Sequence, residues 1–395
     1  MRGNDMSIYE QLKEKAYLNM ENYKSLCKEL NDFLADNPEI SGEEFQSSQK
    51  IADILKEQGY KVEKPFDGYE TAFKATYGNK KHTRKIAILT EYDALPGIGH
   101  ACGHCTSAAI SLLTGLSVKD MQDELDADID IIGTPIEETD GAKCTMARDG
   151  VFDSYDMALM VHLYGENLLA PKLQALDSYL YTFHGKSAHA SAAPWEGNNA
   201  LNGVQLMFHA LDMLRQHVKP DVRIHGVVRE GGLAPNIVPE SASAEFYFRS
   251  MDRGDLNELV KKADDCAKGA AIATQTTFER VATAESYDNL KGNRTGNAVL
   301  AETYAELGLE IGDTEKIFGS SDAGNVSMVC PTFHPLVQIV EPTVAIHTRE
   351  FAEAVKSDRA YEGMMNGARI LILQILKIFT DPEKLEAMKK DFDGK

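Results

Sequence analysis

Apolar residues recur at helical spacing among charges through residues 8–35, which predicts an amphipathic helix, and a second helix is expected over 42–59, ending at Gly59. Short runs rich in β-branched and aromatic residues follow at 61–64, 71–77 and 85–90, and again at 129–134 and 157–162. Helical stretches such as 106–116 separate them. Strands alternating with helices predict an α/β domain around a largely parallel sheet. The texture changes near Lys172. Residues 178–184, 223–229 and 242–250 read as strands and 198–218 as a long amphipathic helix, while Asp252 reads as the N-cap of a helix over 256–273. This predicts a small α+β domain at 173–292, inserted into a discontinuous α/β domain formed by 1–172 and 293–395. The α/β texture resumes with a helix at 293–307, a strand at 336–340 and a C-terminal helix from Arg349.

A chain of 395 residues is long for one core, in keeping with two domains. Its 61 acidic against 41 basic residues give a net charge of −20, which argues against nucleic acid or an anionic membrane as a partner. The longest apolar stretch, 368–379, is interrupted by Arg369, Gln374 and Lys377 and is too short to cross a bilayer. The six cysteines are scattered rather than arranged as a disulfide framework, and the N-terminus has no apolar signal-like core. Both features lead to the expectation of a cytoplasmic protein.

The densest chemistry lies just after the 85–90 strand, in Glu91-Tyr92-Asp93-Ala94-Leu95-Pro96 and then His100-Ala101-Cys102-Gly103-His104. Loops at the carboxyl ends of strands form the ligand crevice of an α/β sheet. Imidazole and thiolate at alternate positions suit a zinc-like ion, although a buried cysteine among hydrogen-bonded histidines would give the same spelling. Cys102 and Cys105 also form a C-x-x-C pair, which admits a redox reading. Adjacent Glu137 and Glu138 end a second apolar run, either as a solvated loop or as a metal ligand beside a general base. His162 ends a third run and His347 precedes the last helix, each open to a structural or a ligating role. Four such strand-end signals in one α/β domain would converge in space. In the inserted region, His189 and Asn236 lie in glycine- and proline-bounded loops, and Arg249 ends a strand. Turn chemistry and surface charge could explain all three, but a guanidinium is also the best side chain for holding a carboxylate.

Taken in order, these motifs resemble peptidase family M20, which contains aminoacylases, carboxypeptidases acting on glutamate conjugates and several dipeptidases. Within it they look like the cysteine-containing amidohydrolase branch, and the likeness runs from about residue 37 to 358. The resemblance implies a zinc-peptidase-like catalytic domain with an inserted lid and dimerisation domain. It implies Cys102 as a thiolate bridging two divalent metal ions, with His104, Glu138, His162 and His347 completing their shells. Glu137 would be the general base and Asp93 the residue orienting a ligand. His189 would reach the substrate carbonyl oxygen, usually from the partner subunit of a homodimer. Asn236 and Arg249 would bind the substrate's backbone groups and carboxylate, and Gly319 and Ser320 would line the pocket. Thiolate plus imidazole favours zinc, with manganese or cobalt left open by the carboxylates. The expected reaction is hydrolysis of an amide in a dipeptide or related small carboxylate-bearing substrate. N-acyl-amino-acid deacylation, aminobenzoyl-glutamate-type hydrolysis and a non-catalytic binding role are the alternatives. The chain departs from the branch at Cys105, where Asn is common, and at Leu163-Tyr164, where Pro is frequent; neither departure removes a ligand.

Overall fold

The computed structural model describes residues 6–78 and 81–394, which form two compact units. The first unit comprises the chain up to Lys172, Leu290–Ile317 and Asn325 onwards. The second comprises Leu173–Asn289 with Phe318–Gly324. The short segment 318–324 therefore departs from the boundary expected from sequence. Its hydrogen bonds give the reason: Gln174 N donates to Gly319 O, and the Arg249 guanidinium donates to Ser320 Oγ, both within the second unit.

The first unit is built on a six-stranded sheet in the order Tyr60–Glu63, Phe73–Tyr77, Ala127–Gly133, Arg84–Thr90, Met157–Leu159 and Thr332–Phe333. The last four strands run parallel and the first two are antiparallel additions at one edge. Ile86 to Thr90 and Ile129 to Gly133 are buried without alternation, as expected of parallel strands covered on both faces. The helix His104–Val118 is buried at every position and lies between the long helices Ile8–Asp36 and Asp358–Phe379, both of which pack against it. It sits hard on the sheet: a Cβ at Gly115 would come within 2.4 Å of Ile131 Cδ1.

Register aligns Thr90 with Gly133 and Ile88 with Leu159, so the loops after three parallel strands open at one edge of the sheet. The expected strand over 157–162 divides in two. Met157–Leu159 pairs with Thr332–Phe333, while His162–Tyr164 pairs with Leu336–Gln338 in a separate two-stranded sheet. The expected C-terminal helix is three helices, Arg349–Ala354, Asp358–Phe379 and Pro382–Asp393, divided where Ser357 and Asp381 cap new N-termini.

The second unit is an α+β layer. Its four-stranded antiparallel sheet has the order Thr277–Ala282, Ala175–His184, Ser241–Ser250 and Arg223–Glu230. Alternation in Ser241–Ser250 buries Ala244, Phe246 and Phe248 in a core shared with the helices Ala200–Leu214 and Arg253–Thr274, and turns Glu245, Tyr247 and Arg249 to the other face. The strand Thr277–Ala282 escapes the sequence pattern because only Phe278 of its six residues is even partly buried. No helix among the described residues is long and apolar enough to cross a membrane.

The Asp252 carboxylate caps Arg253–Thr274 by accepting from Asp255 N at 3.0 Å. Asp252→Ala is expected to lower stability by about 1 kcal/mol, read as a shift in urea midpoint at unchanged m value.

Candidate active site

The first loop turns out of the central strand at Glu91 and re-enters helix at His104 through Gly103, whose φ of 80° lies in the left-handed region. A side chain there would also meet Leu163 Cβ at 2.9 Å. This turn delivers Cys102 and His104 to the carboxyl edge of the sheet. The second loop carries Glu137 and Glu138 after Ile136, a β-branched residue held at φ 66°. Such a residue is a genuine outlier, and Ile136 is secured by its N–H to the buried Glu44 carboxylate at 3.0 Å. His162 follows the third strand. His347, also at positive φ (64°), donates its N–H to Ala101 O at 3.0 Å, which ties its segment to the Cys102 loop.

Donor atoms from these segments gather closely. Cys102, His104 and His162 form one group and Cys102, Glu138 and His347 another, with donor atoms lying within 4.8 Å of one another in each. Cys102 belongs to both. A third such group joins His104, Glu137 and Glu138. Asp93 organises the cluster. Its Oδ1 lies 3.0 Å from His104 Nδ1, and its Oδ2 accepts from Ser41 Oγ at 2.7 Å and from Glu138 N at 3.0 Å. With Nδ1 engaged, His104 presents Nε2, which is 3.9 Å from Glu137 and 4.0 Å from Glu138. His162 Nδ1 likewise engages Leu163 O at 2.9 Å.

The electrostatics favour a cationic occupant. Burial pushes the Cys102 thiol well up, and Glu138 adds to the shift. Burial opposes charge on His104, but Asp93 and Glu91 outweigh it and raise its pKa well above the usual value. Burial together with the neighbouring His104 lowers His162 to about 3. Burial would raise Asp93, yet His104 and the hydrogen bonds hold its carboxyl well below the usual range. His104 Nε2 and Glu138 Oε1 are buried without a hydrogen-bonding partner. A soft thiolate, imidazoles and carboxylates around such orphaned atoms are the chemistry of a divalent metal site, and the residues fit one.

Lys143 and Glu91, both fully buried, were not singled out by sequence. Lys143 Nζ lies 2.7 Å from Glu91 Oε1, and Glu91 Oε2 lies 3.5 Å from His104 Nε2. A lysine two residues after Gly141 reads as a surface charge, and only the fold buries it. Cys105 is likewise fully buried in the helix, and burial pushes its thiol to about 12, the reverse of what a redox thiol requires.

In the second unit, His189 and Asn236 are both exposed and lie on paired backbone: His189 bridges Ile237, and Ala190 N donates to Asn236 O. His189 Nδ1 accepts from Ser191 N and Ala192 N at 3.3 and 3.2 Å, so the neutral ring carries its proton on Nε2. Arg249 donates to Ser320 Oγ at 2.8 Å and borders a cavity of about 330 Å³ with Tyr247 and His225. Burial lowers its pKa, and no carboxylate pairs with it among the described residues.

The model of the M20 peptidase dimerisation domain matches residues 173–274. The chain is 34% identical to Xaa-Arg dipeptidase of Mus musculus over 344 residues, 84% of this chain and 80% of that protein. It is 30% identical to a p-aminobenzoyl-glutamate hydrolase of Escherichia coli over 277 residues, 64% of this chain and 56% of that protein. Among solved structures, a dinuclear metal-binding M20 peptidase of Bacillus subtilis superposes with a TM-score of 0.69 at 18% identity, covering 89% of this chain and 99% of that one.

Removing Lys143 would leave the Glu91 carboxylate buried and uncompensated. Lys143→Met is expected to cost about 3–5 kcal/mol in denaturant unfolding, much of it restored in Lys143→Met/Glu91→Gln. Burial acts to raise the Glu91 pKa, but Lys143 outweighs it and the net shift is downward. The pair's contribution is therefore present above the unfolded carboxylate pKa of about 4.3 and is lost as pH falls through the lower folded value. The double variant should lose that part of the acid sensitivity. The chain belongs to the M20 family of peptidases, enzymes that hydrolyse amide bonds with bound metal.

Proposed function

We propose that this enzyme hydrolyses the amide bond of a dipeptide or a closely related small substrate whose leaving amine bears a carboxylate. The observation that carries the proposal is the pair of donor groups sharing Cys102, with Glu137 beside them. In this reading Cys102, His104 and His162 hold one divalent ion, and Cys102, Glu138 and His347 hold the other. Thiolate and imidazole favour zinc, and the carboxylate leaves manganese or cobalt usable. Divalent cations held there would acidify a water and polarise the scissile carbonyl.

The chain's own residues supply the rest. Glu137 takes the proton of the attacking water and returns it to the departing amine. Asp93 keeps His104 in one tautomer and orientation through Nδ1. His189, with its proton on Nε2, donates to the developing oxyanion, a contact of the kind worth about 3–4 kcal/mol. Arg249, half-buried and without an acidic partner among the described residues, receives the substrate carboxylate, while Asn236 holds the backbone groups and Gly319 and Ser320 flank the pocket. The dipeptidase relatives support a dipeptide over an N-acyl amino acid.

We further infer a homodimer formed through the second unit. Its match to the dimerisation domain supports this, as does the edge strand Arg223–Glu230, which exposes Val227 and Val228. Cytoplasmic residence is in keeping with six free cysteines.

Two substitutions test the reading. Glu137→Gln is expected to retain bound metal near the wild-type level while kcat falls about 10²–10⁴-fold. Wild-type turnover would remove the base assignment. Arg249→Ala should raise KM for carboxylate-bearing dipeptides by about tenfold or more and leave C-terminally amidated analogues unaffected. Equal effects on both substrate types would place the carboxylate elsewhere.

A further inference from the structure

Between the turn leading into the Cys102 loop and the short helix Arg349–Ala354 lies a cavity of about 490 Å³. None of the five proposed metal donors lines it. Ile40, Leu95 and Ile98 contribute apolar wall, and Ile40 is left 37% exposed. His100, Arg349 and Glu353 contribute polar groups.

Each polar group is uncommitted. His100 is buried, and apart from a weak interaction with the Leu34 carbonyl its ring nitrogens have no hydrogen-bonding partner. Burying an imidazole in that state is costly, and a polar group entering the cavity would relieve the cost. Arg349 and Glu353 stand four residues apart on one helix, a spacing at which opposite charges commonly pair. Here they pair neither with each other nor with any other described side chain. A guanidinium and a carboxylate held apart beside an apolar wall match a ligand that carries both charges on one carbon and an apolar group beyond it.

We propose that this cavity binds a free α-amino acid with an apolar side chain. Its carboxylate lies on Arg349 and its ammonium on Glu353, its side chain packs between Ile40, Leu95 and Ile98, and His100 serves as a further hydrogen-bonding partner. The proposal rests on the dipeptidase reading for its source of ligand: dipeptide hydrolysis releases molecules of this class, so the occupant is a product bound away from the scissile bond. The two walls are the segments that carry Cys102 and His347, tied by the hydrogen bond from His347 N to Ala101 O, so occupancy bears directly on both donors.

Calorimetric titration of metal-loaded Arg249→Ala protein with L-leucine tests the proposal, because that background removes the proposed carboxylate anchor for substrate and product. Leucine is expected to bind at one site per chain. Adding Arg349→Ala, or filling the cavity with Ala352→Phe, should weaken binding at least about tenfold; both positions are partly or fully exposed and tolerate change. 4-Methylpentanoate, which is leucine without its amine, should also bind at least about tenfold more weakly. Absence of leucine binding in Arg249→Ala would overturn the site. So would binding that survives both second substitutions, and equal binding of 4-methylpentanoate would overturn the zwitterion assignment. Dipeptide turnover by the wild-type protein reads the proposed reaction separately, so failure of one leaves the other standing.

Discussion

The carboxylate of Asp93 is the contact on which the arrangement of this centre depends. From one buried position it engages His104 Nδ1, the backbone N–H of Glu138 and the hydroxyl of Ser41. It therefore joins the loops after two neighbouring parallel strands and the segment before the second helix. Hydrogen bonds to a charged acceptor are shorter and stronger than neutral ones, and three of them onto one carboxylate explain why it stays ionised while fully buried. The consequence is geometric: the outer nitrogen of His104 and the side chain of Glu138 are delivered to the same space.

Charge balance is the second constraint. Glu91, Asp93, Glu137 and Glu138 approach within a few ångströms of His104, in a region where water is scarce. Lys143 neutralises Glu91 directly, and the protonated states of His104 and Cys102 absorb part of the remainder. Cations replacing those protons would turn both side chains into donors, so metal uptake and proton release are coupled here. Strain is concentrated at the same place: Ile136 and His347 both hold positive φ next to the acidic and imidazole donors they position.

Much of this was legible in the chain. Uninterrupted apolar runs at 85–90 and 129–134 give parallel strands, and parallel strands bring their following loops to one edge, so the gathering of Cys102, His104, Glu138 and His162 follows from pattern and register. Local capping chemistry was equally readable, as Asp252 shows. What stayed hidden depends on long-range packing. Thr277–Ala282 is an exposed edge strand with no alternation to detect. The strand expected over 157–162 divides because its two halves take different partners far along the chain. The residues 318–324 join the second unit through hydrogen bonds to Gln174 and Arg249 that no local signal announces. Lys143 is a charged residue whose burial only the completed fold reveals.

The central claim is that Cys102 stands between two cations, and anomalous diffraction from crystals of the protein purified with its metal tests it most directly. Data on either side of the absorption edge should show two peaks per chain, both within coordinating distance of Cys102 Sγ, one beside His104 and His162 and the other beside Glu138 and His347. A single peak, or two peaks lying away from that sulfur, would contradict the account.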